Sequence, residues 1–402
     1  MAKGKYAKKR ANAAARAGLP PQEDNSIWTN LDNLHFTWDE TFSYGKPWNF
    51  AVGERESGKS VNSWIKLFNA FYYWQCPSIV LRRRIADITT AYIEDIATLL
   101  NKFLKPEYQI QLVYGKGEVG SGIADIRVGK VGETYSWQAR EKLPVFFRII
   151  GLSTPMNRIK SMVLRNVRYM FFDEFLANTR GGEKYLTGDE HFLIQEIYTT
   201  YNREANKPIR IICAGNPYSV YCPLFSALGV DSTKLKPGSF VVGPNYVIDC
   251  FQTPPELKVI ILRNNPMYEF DDSYKRYAFG GESINDQNIR LLKTEPKGFK
   301  LRWVFKMGND YLSVHAGPST DYKDEPFTYW VCKHKSDWLA KVSKRRKIIA
   351  FNYADLTAGV IKWSAAQLGQ FTGLRTAMAT RKVTYNCVDA SYMLEDLEPY
   401  LR

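Results

Sequence analysis

The sequence predicts an α/β protein of two domains joined by a small helical module, with a parallel central sheet in the first domain. Three observations predict it. Apolar runs at 48–52, 78–81, 167–172 and 209–214 are nearly continuous, as central strands covered on both faces require. Segments with helical apolar spacing separate the first two of these runs. A chain of 402 residues also exceeds what one ordinary core organises.

Taken in order, residues 1–24 read as a basic tail. Lys3, Lys5, Lys8, Lys9, Arg10 and Arg16 precede the first acid, Glu23, and Pro20 and Pro21 end any helix the alanines favour. The tail is either an arm that holds phosphate backbone or a solvated terminus. Trp48 to Val52 reads as a strand entering a glycine loop. From Ser60 to Trp74, Val61, Trp64, Ile65, Phe68, Phe71 and Tyr72 recur at helical spacing. Residues 78–81 form a second strand with Arg82, Arg83 and Arg84 at its carboxyl end, and 88–103 are helical. Residues 108–150 alternate and are glycine-rich, which predicts a hairpin-rich insertion. The apolar run at 167–172 leads into Asp173 and Glu174, and the run at 209–214 into Gly215, Asn216 and Pro217. The first domain is therefore set at 25–235. Five prolines between 237 and 266 and a helical stretch at 268–292 set a linker or lid module at 236–298. A hairpin over 300–314 opens a second α/β domain, 299–402.

Composition narrows the function classes. The formal charge of +14 points to a polyanionic partner such as nucleic acid. Six cysteines carry no CxxC spacing and the four histidines are dispersed, so the reading is reduced thiols and no metal cluster. The N-terminus lacks the apolar core of a signal peptide, and no apolar run reaches the roughly 18 residues of a membrane span. The expected setting is the cytosol of the producing cell, with no membrane partner.

The chemistry begins at Gly53-Glu54-Arg55-Glu56-Ser57-Gly58-Lys59-Ser60, which matches GxxxxGK[ST] between a strand and a helix. Glycines let backbone amides curl around phosphate, and the helix aims its positive end at the same anion. Lys59 would reach the outer phosphates of ATP and the Ser60 hydroxyl would ligate Mg²⁺. Asp173 would hold the same ion, and Glu174 would orient or deprotonate the attacking water. Asn216 could touch both γ-phosphate and water, or form part of a Gly-Asn-Pro turn. No base-reading motif of a GTPase follows the loop. A switch protein that binds nucleic acid or portal without translocating, and a helicase, remain the alternatives.

An arginine inside the loop (Arg55), an apolar strand ending in Asp173-Glu174, and Gly215-Asn216-Pro217 after the next strand resemble viral DNA-packaging ATPases of the terminase type. The resemblance is nearest to the encapsidation ATPases of small picovirus-type podophages. Asn49-Phe50 ahead of Val52-Gly53, Arg82-Arg83, Lys160-Ser161 and Asn202-Arg203-Glu204 fit that family, from about Ser43 to the end of the chain. The resemblance implies an additional-strand, catalytic-glutamate (ASCE-type) P-loop fold and an RNase H-like second domain. It implies ATP and Mg²⁺, with Gly53, Arg55, Ser57, Gly58, Lys59, Ser60, Arg82 and Arg83 on the nucleotide side. It implies a motor that moves double-stranded DNA into a procapsid, as a homomeric ring, a pentamer, on the portal protein in the host cytoplasm, with a structural RNA as a further possible partner.

Two departures matter. The first strand of the second domain, 301–307, carries no acid and Asp310 lies in the turn after it, so Asp321, Asp324, Glu325, Asp355 and Asp389 are expected to be surface charges and not a working nuclease centre. Ring motors complete each site with a neighbour's cation. The family's arginine ahead of Asn202-Arg203 is Tyr201 here, which leaves that role among Arg203, Lys160 and Arg158. Lys341, Lys344, Arg345, Arg346 and Lys347 form a basic cluster that reads as a solvated face or as a contact to DNA or structural RNA.

Overall fold

The computed structural model describes residues 27–29, 31, 34–178, 182–186, 190–203, 205, 207–231, 234–269, 272–280, 283, 286, 289–317, 328–335, 338, 348–351, 355–357, 359–362 and 369–401. The basic tail, Asp321, Asp324, Glu325, Glu204 and the 341–347 cluster lie outside the described residues. The chain divides into two compact units, Met1–Asn285 and Asp286–Arg402.

In the first unit the strands are β1 (Trp48–Gly53), β2 (Ser78–Arg82), β3 (Ile110–Val113), β4 (Ile123–Lys130), β5 (Val145–Gly151), β6 (Tyr169–Asp173), β7 (Arg210–Gly215), β8 (Phe240–Val242) and β9 (Tyr246–Phe251). They form one sheet in the order β3-β4-β5-β2-β6-β7-β1-β9-β8. The stretch β5-β2-β6-β7-β1-β9 is parallel throughout. Strand β7 lies between β1, which feeds the glycine loop, and β6, which carries Asp173. That is the additional-strand arrangement.

Alternation along the strands sorts the core. Phe50, Ile79, Leu81, Met170, Phe172, Ile211 and Cys213 face one side, and Ala51, Val80, Phe171, Ile212 and Ala214 the other. Helices α1 (Lys59–Trp74) and α2 (Thr90–Phe103) cover the second side with Trp64, Phe68, Ile93 and Leu100. Helices α3 (Met156–Lys160), α4 (Glu190–Asn202) and α5 (Pro255–Asn264) cover the first with Ile159, Ile194, Ile197, Leu257 and Ile261. The segment ahead of β1 is pinned to α1 by Trp28 Nε1 donating to Asn69 (2.8 Å) and Trp38 Nε1 to Ser63 (2.9 Å).

Two expectations change. A first-domain boundary at 235 falls ahead of β8 and β9, which complete the sheet, and the compact unit runs on to Asn285. Prolines at 237, 244 and 254 frame this β8–β9 hairpin instead of ending the domain. The 108–150 stretch is rich in antiparallel pairs, but its last strand, β5, lies inside the parallel sheet beside β2.

In the second unit β10 (Lys300–Met307), β11 (Asp310–Ala316), β12 (Tyr329–Lys335), β13 (Ile348–Ala350), β14 (Val360–Lys362) and β15 (Val383–Tyr385) order as β14-β13-β10-β11-β12-β15. Three antiparallel strands meet two parallel ones at β10, the RNase H-like arrangement, with β15 added parallel to β12. Helices α6 (Thr372–Ala379) and α7 (Val388–Leu397) supply buried Leu374, Ala377, Ala390 and Leu394.

On the other face of β11 and β12 a polar chain runs through the sheet. Glu295 Oε1 lies 2.6 Å from His315 Nδ1, whose Nε2 lies 3.1 Å from Ser313 Oγ, itself 2.8 Å from His334 Nε2. His334 stacks on Trp338 at 3.8 Å. Burial pushes the His334 imidazolium down to about 4, and the nearby His315 adds to the shift. An unfolded histidine protonates near 6.5, so the unfolded chain binds more protons between those values and stability falls as pH drops from about 6.5 to 4. Thermal melts followed across that window are expected to show a downward slope for the wild type that is reduced in His334→Phe.

Candidate ATP-binding and hydrolysis site

The carboxyl ends of β1, β6 and β7 meet the amino end of α1 around a cleft of about 360 Å³. Arg55, Ser57, Gly58, Lys59, Ser60, Asp173, Glu174 and Asn216 line it, together with Glu56, Val61 and Tyr268. Residues distant in sequence thus converge: Ser60 Oγ donates to Asp173 Oδ1 at 3.0 Å.

The loop's backbone explains its glycines. Gly58 has φ +86°, and a Cβ there would stand 2.7 Å from the His35 Cβ; at Gly53 it would stand 2.6 Å from the Phe251 carbonyl. Lys59 Nζ donates to the carbonyls of Gly53 (2.9 Å) and Glu54 (2.6 Å) and to Ser57 Oγ (2.9 Å). Burial pushes the Lys59 ammonium down to about 7 despite the attraction of Asp173 and Glu54. Burial likewise raises Asp173 to about 6, against the pull of Arg82. A hydroxyl and a carboxylate are the hard oxygen donors Mg²⁺ prefers, so Ser60 and Asp173 fit that ion.

Glu174 sits just beyond the end of β6 with φ +55°. A left-handed backbone at a non-glycine residue costs on the order of 1–3 kcal/mol and survives only where surroundings impose it. Its carboxylate meets Arg82 Nη2 at 3.1 Å, while Arg82 Nη1 lies 3.9 Å from Asp173. Arg82 stacks over the ring of Tyr92 from α2. It therefore neutralises the acids without lining the cleft itself.

Arg83 does not reach the cleft either. Strand alternation sends it to the opposite side of the sheet from Arg82. There it pairs with Glu190 at 2.8 Å and lies over the rings of Phe172 and Tyr185. Grouping it with the nucleotide-side residues is corrected by this geometry. Extending the alternation Ile79, Leu81, Arg83 in the sequence would have separated the two arginines.

Sequence reading also passed over how the loop is tied down. Glu54 is fully buried, accepting from Thr253 N (2.8 Å) and Lys258 Nζ of α5 (2.8 Å). Arg55 donates to the Tyr218 and Tyr277 hydroxyls at 3.1 and 3.2 Å, and the Tyr268 hydroxyl donates to Glu56 at 2.6 Å. Glu54, Arg55 and Glu56 occupy unspecified positions of the motif, where the pattern itself carries no information.

The remaining cations lie elsewhere. Lys160 pairs with Glu196 on α4, and Arg158 donates to the Ser121 carbonyl. Arg203 is exposed just past α4, its Nε bonded to the Thr199 carbonyl. Helix α4 begins beside the cleft end of β6, and Asn202 bonds Ile209 N at the start of β7, so Arg203 stands at the opposite edge of the sheet. Tyr201 is buried, accepting from Arg148 at 3.2 Å.

In the second unit Lys333 Nζ contacts Asp389 (2.9 Å) and Asp310 (3.1 Å), and both raise it against the effect of burial. Asp355 accepts from Gly308 N at 2.7 Å, closing the β10–β11 turn. Among the described residues no group of three or more His, Cys, Asp or Glu side chains could hold a metal ion.

No protein-family model and no curated protein matches the sequence. Solved structures do. The chain is similar to the Phi-28 gp11 DNA packaging motor at 16% identity, over 92% of this chain and 98% of that one, with a TM-score of 0.59. It is similar to the bacteriophage Phi-29 viral genome packaging motor assembly at 18% identity, over 92% and 100%, with a TM-score of 0.58. The likeness establishes a shared fold across both units.

Proposed function

We propose that this chain is an ATP-driven motor that moves double-stranded viral DNA into a preformed procapsid. One observation carries the reading: Lys59, Ser60, Asp173, Glu174 and Asn216 line a single cleft, in a fold shared with two phage packaging motors. Lys59 would leave its loop carbonyls for the outer phosphates, with Arg55 beside it. Ser60 and Asp173 would hold Mg²⁺, which supplies charge that offsets the build-up on the phosphoryl oxygens. Glu174, once released from Arg82, would orient the attacking water and accept its proton, and Asn216 would contact the γ-phosphate. The charge of +14 suits a duplex as cargo.

The assembly in this reading is a homomeric ring of five on the portal protein, in the host cytoplasm. A role for Arg203 toward a neighbour's nucleotide rests on its match to the family's arginine-bearing stretch and on its exposure just past α4, with Lys160 as the next candidate. The second unit, in this reading, cuts nothing. Lys333 puts an ammonium between Asp310 and Asp389, where a metal centre would need bare carboxylates.

Glu174→Gln is expected to bind ATP and lose turnover, whereas Lys59→Ala loses hydrolysis with weakened binding. Fluorescent-nucleotide titration beside a phosphate-release assay separates them, and wild-type turnover in either variant removes that residue's role. Supercoiled plasmid incubated with the protein and Mn²⁺ should stay intact; linear product that disappears in Asp389→Asn would overturn the inert second unit.

Arg203→Ala should bind ATP and lose on the order of 10³-fold or more in hydrolysis, the effect of removing a trans arginine. Mixing it with Lys59→Ala subunits should restore activity, because some interfaces then pair an intact loop with an intact arginine. Mixed rings that remain inactive would transfer the role to Lys160.

A further inference from the structure

We propose that Arg83 is a positioning residue that fixes the backbone of Glu174, and that the buried Glu190 holds Arg83 in place. The inference rests on reading Glu174 as the hydrolytic base. Arg83 emerges at the end of β2 and is almost wholly buried. Its three guanidinium nitrogens reach three partners: Nε donates to Glu190 Oε1 at 2.8 Å, Nη2 to the Phe175 carbonyl at 2.7 Å, and Nη1 to the Glu174 carbonyl at 3.4 Å. The Phe172 and Tyr185 rings lie against the guanidinium at 5.4 and 5.0 Å.

Those carbonyls belong to the turn where β6 leaves the ladder. A buried carbonyl that leaves its ladder must find another donor, and the planar fork holds its donors apart in one fixed geometry, which the three donors of an ammonium, radiating from a single nitrogen, do not reproduce. The other side of the turn is held by β7. Phe175 N donates to the Ala214 carbonyl at 3.3 Å, and the Phe175 ring is 3.0 Å from where a Cβ on Gly215 would stand. The turn carrying Glu174 is thus gripped between Arg83 and β7, the strand that leads into Asn216. This grip is what imposes φ +55° at Glu174 and with it the direction of its carboxylate.

Glu190 completes the clamp. It is fully buried, its Oε1 also accepts from Leu186 N at 2.8 Å, and its Oε2 has no hydrogen-bond partner among the described residues. A buried carboxylate needs a partner, and the Arg83 guanidinium at 2.8 Å supplies it.

The test measures steady-state ATP hydrolysis and fluorescent-nucleotide binding on the full chain carrying Arg83→Lys, Glu174→Gln, or both. Lysine keeps the charge and loses the fork. A misplaced catalytic group costs up to about 10²-fold in rate, so Arg83→Lys should lose roughly 10- to 100-fold in kcat. Its KM and nucleotide affinity should stay within about twofold, because Arg83 touches no nucleotide. The double variant should be no slower than Glu174→Gln alone, because Arg83 acts through Glu174.

Wild-type kcat in Arg83→Lys while Glu174→Gln is inactive overturns the clamp and leaves the base reading standing. A rise in KM matching the loss in kcat/KM also overturns it, since Arg83 would then bind nucleotide. Wild-type turnover in Glu174→Gln is the separate failure of the base reading and takes the clamp with it. Should Arg83→Lys fail to fold, Glu190→Gln replaces it. That variant keeps the volume and an acceptor oxygen while removing the charge, and should lower kcat about tenfold at constant KM; an unchanged kcat there overturns the inference.

Discussion

The bond from Ser60 Oγ to Asp173 Oδ1 joins the two halves of the site, and the rest of the first unit is arranged so that it can form. A hydroxyl on the first turn of α1 can meet a carboxylate at the end of β6 only if both strands end at the same edge of the sheet. Parallel pairing of β1 to β7 and β7 to β6 ensures this. Parallel pairing in turn requires crossover helices, and the apolar faces of α1 and α4 are what hold those helices to the sheet. Burial of the site follows, and it is burial that moves Lys59 and Asp173 toward neutrality.

The sequence made much of this legible because the physics is local. A strand, a glycine turn and a helix start lie within a short string, and their chemistry is set by backbone amides that every such string supplies. Apolar runs at 167–172 and 209–214 announce buried strands. The order of those strands was not legible from periodicity, which is identical for every buried strand; it came from the family resemblance and is now seen in the pairing. The prolines that suggest a domain break at 235 instead bracket a short hairpin, with Pro237, Pro244 and Pro254 flanking β8 and β9 at the sheet's edge.

Among the charged residues, legibility depended on direction. Arg82 and Arg83 are the same residue side by side, and only the strand's alternation sends one to the acids of the cleft and the other to Glu190. Lys160 and Arg203 carry the same charge as Lys59, yet helix α4 sets Arg203 at the far edge of the sheet, about 20 Å along a 13-residue helix from Glu190. In the second unit Asp389, expected to be a surface charge, and Asp310, expected in the turn, both close on Lys333. A contact between residues on β11, β12 and α7 is set by packing, which no spacing in the sequence reports.

Arg83 and Glu190 also bear on why such a pair is kept. Removing two charges from water costs several kcal/mol per ion, and well-packed apolar residues would often serve stability as well or better. The aromatic rings of Phe172 and Tyr185 already line this place, so an apolar substitute would find a suitable surface. What an apolar side chain could not do is bond the carbonyls of Glu174 and Phe175. Left without a donor, that turn would relax toward an extended backbone, since left-handed geometry at a glutamate is held only by its surroundings. The pair is therefore best understood as the means of holding one residue in a conformation its own chemistry disfavours. That residue, Glu174, is the one whose carboxylate direction the proposed chemistry depends on most.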